Sequence, residues 1–312
     1  MDPIVLWIIA FTVLGGVLSV LAASGFLLLP VDARTRMLSP LVSFAIGTLL
    51  GAAFLGLLPS AIEQFGVNRI ETLTVTVLLG LLGFFLLEKM VIWRHCHTHD
   101  CEAHGSASAP GDSDVQGRTS AAGDRVLGAA MSGAAEAHGG ASAGHDHRST
   151  AFNNPSASTV EEAQQAAAGK LILIGDGIHN LVDGVLIAAA FLTDIHLGIV
   201  TGLAVIAHEI PQEVGDFAVL LNSGYSRAQA FLYNVLTSLT TVIGGVAAYL
   251  SLAHAQTILP YVLAVAAASF IYIAVADLIP GLHKRIGFRA TAQQIGLIGL
   301  GVGAISITHE FL

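Results

Sequence analysis

Charge is what this chain has least of. Only 11% of its 312 residues are Asp, Glu, Lys or Arg, against about 25% in an ordinary soluble domain. With 54% hydrophobic residues and a mean hydropathy of +0.73, that deficit excludes a soluble globular protein. Basic residues are the scarcer sign, 13 Lys and Arg against 22 Asp and Glu, for a net charge of -9. A nucleic-acid partner, which needs a basic face, is excluded by the same balance. Cysteine is nearly absent: Cys96 and Cys101 share one polar stretch, so no disulfide framework is expected. No Lys or Arg precedes the first apolar run, and that run is too long for a signal-peptide core; it reads as a retained helix.

What is present is a series of long apolar runs. A hydrocarbon core about 30 Å thick takes roughly 20 apolar residues per helix. Eight stretches qualify: 4–29, 38–60, 70–93, 170–192, 197–221, 227–252, 258–280 and 291–310. The expected fold is all-α, a polytopic membrane protein in two helical blocks, 1–93 and 170–312. The intervening 94–169 are rich in Ala, Gly, Ser and His and read as a largely disordered linker, helical near 160–168. Only Thr193-Asp194-Ile195-His196 separates the fourth and fifth stretches, which makes them a tight antiparallel pair.

Arg34, Arg36, Arg94, Lys170, Arg227, Lys284, Arg285 and Arg289 follow odd-numbered stretches or precede even-numbered ones, whereas the opposite side has only Arg69. The positive-inside rule puts the odd-numbered connections in the cytoplasm and both termini outside.

Two polar strings interrupt the apolar pattern: His179-Asn180-Leu181-Val182-Asp183-Gly184 in the fourth stretch and His208-Glu209-Ile210-Pro211-Gln212-Glu213 in the fifth. Ionisable groups at the bilayer centre cost roughly 2.5–3.5 kcal/mol or more and persist where they meet each other, water or an ion. Residues three and four apart share a helix face. If the two faces meet, His179, Asp183, His208 and Gln212 surround one ion, and Asn180, Asp183, Glu209 and Gln212 line a second position. Imidazole and carboxylate suit zinc and its neighbours; an amide such as Gln212 is a weak ligand. Pro211 frees the carbonyl of Ala207, and Gly184 and Gly215 are expected to allow close backbone approach beside the ligands. Asp176, Glu213 and Asp216 extend the acidic track as pathway or relay groups. Asp277 in the seventh stretch is equally a gate, a relay or a packed hydrogen-bonding group.

The bland alternative is structural. A lone histidine or asparagine in a membrane helix ordinarily bonds to a neighbouring helix. The combined set is different, because its acids need cationic partners and the spans hold almost no Lys or Arg. A second cluster sits in the linker, where His95, Cys96, His97, His99, Cys101 and His104 crowd ten residues. Their spacing departs from C-x2-C, yet the density suits labile metal binding. His138, His145 and His147 form a sparser group, and a solvated spacer is the plain alternative for both. An intramembrane zinc protease is a rival reading, since His208-Glu209 resembles half of H-E-x-x-H. Gln212 in the fifth position and Pro211 within the turn count against it. A membrane metal sensor without transport is the other rival. An organic-anion carrier lacks an arginine within the spans.

These residues resemble the Zrt/Irt-like (ZIP) family of divalent-metal transporters. The strings H-N-x-x-D-G and H-E-I-P-x-E-x-G-D-F are similar to its most diagnostic motifs, and the eight-span plan matches over nearly the whole chain. The closest branch reads H-E-I-P-H-E in the fifth helix. Three departures stand out. Gln212 replaces a histidine. Ala52, Gly56 and Ser60 stand where that branch carries an Asp and two His. Gly281 replaces a common acid, and Ser238 stands where some relatives supply one from the sixth helix. The resemblance implies zinc, or Cd2+, Fe2+, Mn2+ or Co2+, as transported ligand rather than cofactor. It also implies no enzymatic activity, influx by elevator-like alternating access of helices 1, 4, 5 and 6 against 2, 3, 7 and 8, and a homodimer in the lipid bilayer. The Ala- and Gly-rich composition points to a bacterial inner membrane. Uptake is expected to weaken as the outer pH falls, because carboxylates bind metal when deprotonated.

Overall fold

The computed structural model describes residues 2–96, 157–283 and 287–311. Eight helical rods account for almost all of them: α1 Pro3–Leu27, α2 Val31–Phe65, α3 Ile70–Cys96, α4 Ala157–Thr193, α5 Ile195–Asn222, α6 Arg227–Leu252, α7 Gln256–Leu282 and α8 Phe288–Phe311. Seven are long and apolar enough to cross a membrane; α5, which carries Glu209, Glu213 and Asp216, is the exception. Large apolar side chains such as Leu78, Leu79, Leu82 and Leu86 lie exposed along α3, as expected of a surface facing lipid.

Local chemistry sets the helix starts. Pro3 occupies the first turn of α1, where its missing N–H costs nothing, and Asp2 accepts a bond from the Ile4 N–H at 3.2 Å. Asp194 opens α5 by accepting from the N–H groups of His196 and Leu197 at 2.8 and 3.1 Å. It is the single residue between α4 and α5. Ser226 and Gln229 form a reciprocal cap on α6. Gly66 and Gly224, at φ of 75° and 86°, end α2 and the α5–α6 turn in a conformation that side chains resist.

The helices overrun their apolar runs. α2 begins at Val31 and α4 at Ala157, so α4 takes in all of 160–168 and reaches beyond the expected slab. Wide π-helical turns occur at 14–18 in α1, 52–57 in α2 and 273–278 in α7. The last two are each followed, two residues on, by Pro59 and Pro280. A proline cannot donate to the carbonyl four residues back and crowds it, and a widened turn relieves both problems. α5 passes through Pro211 as one uninterrupted helix.

Glycines let particular helices touch backbone to backbone. A Cβ on Gly184 would lie 1.9 Å from the Thr241 carbonyl oxygen, and one on Gly244 would lie 2.1 Å from that of Leu181, so α4 and α6 are in intimate contact. α2 and α8 meet in the same way at Gly47 with Ile298 and at Gly301 with Phe44. α1 packs on α6 through Gly16 and Ser238, and α3 packs on α7 through Gly80 and Ala268. These contacts join α1 and α4 to α6, α2 to α8 and α3 to α7, while Gly56 of α2 meets the side chains of Leu197 and Val200 of α5.

Candidate metal centre

α4 and α5 run antiparallel and bring their polar strings together inside the bundle. Asp183, His208 and Glu209 are fully buried, while His179 retains 19% side-chain exposure. His208 Nε2 lies 3.2 Å from Asp183 Oδ2 and 3.7 Å from Glu209 Oε1. His179 Nε2 lies 3.4 Å from Glu209 Oε1 and 3.7 Å from Asp183 Oδ2. The two Nε2 atoms are 3.3 Å apart. A zinc-like ion with bonds of about 2.0–2.1 Å holds tetrahedral ligands about 3.3–3.4 Å from one another, so these four donor atoms already stand near the corners of such a site. Among the described residues, this is the one cluster of three or more His, Cys, Asp or Glu donors within reach of a common ion.

Hydrogen bonding supports that reading. His208 Nδ1 is 3.0 Å from the Ala204 carbonyl oxygen, to which only an N–H can donate. Nδ1 thus carries a proton, and Nε2 is the ring atom that faces the cluster, as in metal-ligating histidines. Neither carboxylate oxygen of Asp183 or Glu209 has a hydrogen-bond partner. Unpaired buried carboxylates are costly, and a divalent cation at this point satisfies all four oxygens' charge at once.

Glu209, expected at the second position, stands with His179, Asp183 and His208. Gln212 lines the adjoining cavity beside His179. Asn180 is fully buried and turned away into a chain of bonds: its Nδ2 donates to Asp176 Oδ1 at 2.8 Å, and its Oδ1 accepts from Thr241 Oγ1 at 2.6 Å. Thr241, with Thr240 donating to the Gly177 carbonyl at 2.8 Å, anchors α6 to the ligand helix. The sequence reading missed Thr241; its signal is the polar series Asn234, Ser238 and Thr241 on one face of α6. Ser238 back-bonds to the Val235 carbonyl in its own helix. Gly184 packs closely as expected, but Gly215 has open space around it, because its face of α5 has no helix against it. Asp277 is exposed and lines the cavity with Glu88 and Tyr272, whose hydroxyl donates to Glu88. The linker cluster falls outside the described residues, apart from the backbone of His95 and Cys96 at the end of α3.

Two openings approach the cluster. A cavity of about 460 Å³ enters from the end that carries the α1–α2, α3–α4, α5–α6 and α7–α8 connections. Asp176, His179, Gln212 and Asp216 line it from α4 and α5, and Glu88, Tyr272 and Asp277 from α3 and α7. At the opposite end, a vestibule of about 610 Å³ is lined by Ser60, Glu63, Asp194 and Gln256. Between vestibule and cluster lies a layer of buried apolar side chains, including Leu57, Phe191, Leu197, Val200 and Phe270. The Phe270 ring packs 6.2 Å from that of His208. One side is open and the other sealed.

The profile of the family described as ZIP Zinc transporter matches residues 4–309. The chain belongs to the ZIP family. Zinc transporter SLC39A7 of Rattus norvegicus is 32% identical over 359 residues, spanning 99% of this chain and 74% of that protein. Zinc transporter ZIP13 of Gallus gallus is 30% identical over 87% of this chain and 74% of its own length. Zinc transporter foi of Drosophila melanogaster is 38% identical over 149 residues, but this chain spans only 21% of it. The ZIP assignment thus covers all eight helices, including both strings that form the cluster, and fits a multi-pass integral membrane protein.

Proposed function

We propose that this ZIP-family chain carries a divalent transition-metal ion, zinc foremost, across the membrane into the cytoplasm. The observation that carries the reading is the cluster of His179, Asp183, His208 and Glu209: two imidazole nitrogens and two carboxylate oxygens, 3.2–3.7 Å apart in the measured pairs, buried in mid-bundle. Nitrogen and oxygen donors together suit Zn2+ and its first-row neighbours better than Mg2+ or Ca2+. Relatives named as zinc transporters align over the same helices. The metal is cargo, and no catalytic role is assigned to any residue.

Basic residues place the cavity end in the cytoplasm. The described conformation is then inward-open, with the buried apolar layer as the closed outer gate. Alternating access requires the α1-α4-α5-α6 group to shift against α2-α3-α7-α8. Backbone contacts within each group and side-chain contacts at Gly56 between them favour a sliding boundary of this kind. A homodimer remains part of the proposal on the resemblance alone. The relatives compared come from animals and a fission yeast, so they lend no support to a bacterial inner membrane, and the proposal goes no further than an integral membrane.

Zinc uptake into proteoliposomes, compared between wild type and His179→Ala or Asp183→Ala, tests this. Both variants are expected to lose saturable uptake; full activity in both would overturn the site. Peptide cleavage without flux would favour the protease reading, and saturable binding without flux would favour the sensor.

A further inference from the structure

Asp176 of α4 and Asp216 of α5 lie one step from the cluster, toward the cavity, and are left without a task by the four-donor site. They are 6% and 7% exposed, and each keeps an Oδ2 atom with no hydrogen-bond partner. Both line the inward cavity beside His179 and Gln212. The two side chains meet each other across the α4–α5 contact. Asn180 holds Asp176 from the other side, donating to its Oδ1 at 2.8 Å and to its backbone carbonyl at 3.2 Å. The orientation of the carboxyl is therefore fixed, and its unpartnered oxygen is the one left for a ligand.

The surroundings deepen the charge imbalance. Glu213, fully buried on α5, also has two unpartnered oxygens. Together with Asp183 and Glu209, five acidic side chains are buried here, and no lysine or arginine is among the buried residues described. One divalent ion in the cluster balances two negative charges. Facing carboxylates repel unless they share a proton or a cation.

Resting on the transport reading above, we propose that Asp176 and Asp216 form a second holding position for the same divalent ion, between the cluster and the cytoplasmic cavity. Asp176 is three residues from His179, about 4.5 Å of helix rise, and His179 is the only cluster member with appreciable exposure. An ion leaving past the His179 ring meets Asp176 next. The two aspartates supply only hard oxygen ligands, and cavity water completes the shell. Such a set holds zinc less tightly than two imidazoles and two carboxylates. The ion thus moves from a firm site to a loose one on its way out, which keeps release from limiting turnover.

Cadmium, which binds such sites and scatters anomalously, is the probe. Crystals of the full chain grown in saturating Cd2+ are expected to show one peak within the His179 cluster and a second between Asp176 and Asp216. Asp176→Asn and Asp216→Asn should remove the second peak and keep the first. In proteoliposomes both variants should lower the maximal rate of zinc uptake about tenfold with little change in KM, and Asp216→Glu should restore most of it. A single peak in the wild type, or unchanged maximal rates in variants that still bind Cd2+ at the cluster, would overturn the second position. Those outcomes leave the primary site standing; that site fails only if His179→Ala and Asp183→Ala still transport.

Discussion

The Nε2 atoms of His179 and His208 face each other at 3.3 Å, with a carboxylate oxygen of Asp183 and one of Glu209 alongside. His208 is held in this orientation by its Nδ1, which donates to the Ala204 carbonyl at 3.0 Å. Removing a single ligand leaves three donors and a hole. His208→Ala should therefore weaken zinc binding at this cluster at least tenfold, since loss of even an outer-shell partner typically costs 10–100-fold. Zinc titration of the full chain, with a competing chelator to mask weaker sites, checks it.

The close contact of Gly184 with the Thr241 carbonyl separates two glycines that look alike in sequence. Gly184→Ala forces a Cβ to within 1.9 Å of that oxygen, an overpacking that costs about 1–3 kcal/mol. Gly215→Ala meets nothing within 4 Å and should leave stability unchanged or raise it by up to about 1 kcal/mol. Thermal unfolding in detergent should show Gly184→Ala melting lower than Gly215→Ala by several degrees.

Much of this could be read from residue order, and the remainder fails for definite reasons. Hydropathy finds the segments that lie in the hydrocarbon slab, so all eight helices were visible. It cannot see where a helix continues into water, which is why α2 and α4 start earlier than their apolar runs. The i,i+4 spacing correctly pairs His179 with Asp183 on one face. Which residue of α5 joins them depends on how α5 is rotated about its axis, and that is set by distant contacts such as Gly202 against Phe11 and Gly198 against Phe191. No local pattern reports this rotation, so the meeting of Glu209 with both histidines was not legible in the sequence. The bonding of Asn180 to Thr241 spans 61 positions and is equally invisible.

That long-range bond makes a third prediction. Thr241→Val keeps the shape of the side chain and removes the donor, leaving the buried Asn180 Oδ1 without a partner. An orphaned buried acceptor costs about 1–3 kcal/mol. The variant should unfold at lower temperature than wild type, and its zinc affinity should fall only slightly, because the Asn180 amide is engaged with Asp176 and Thr241. A loss of zinc affinity as large as that of His208→Ala would show that Asn180 acts as a ligand instead.

Residues 97–147 hold most of the linker histidines and lie between the end of α3 and the start of α4. The four donors of the cluster lie on α4 and α5. Deleting 97–147 should leave the initial rate of zinc uptake into proteoliposomes within about twofold of wild type, while lowering the number of weakly held zinc ions per chain. Complete loss of uptake in a correctly inserted protein would assign the linker a part in transport.

Gln212 carries the last prediction. It stands three residues after Glu209 on α5 and faces the inward cavity beside His179, so an ion leaving the cluster passes its amide. An amide oxygen is a poor zinc ligand, whereas an imidazole at the same place is a good one. Gln212→His should therefore add a firm ligand on the way out of the cluster. Tighter ground-state binding lowers KM, but an ion held more firmly leaves more slowly, so the maximal rate should fall with it. Uptake measured across zinc concentrations should show both parameters dropping together. A lower KM with an undiminished maximal rate would mean that release past Gln212 is not the slow step.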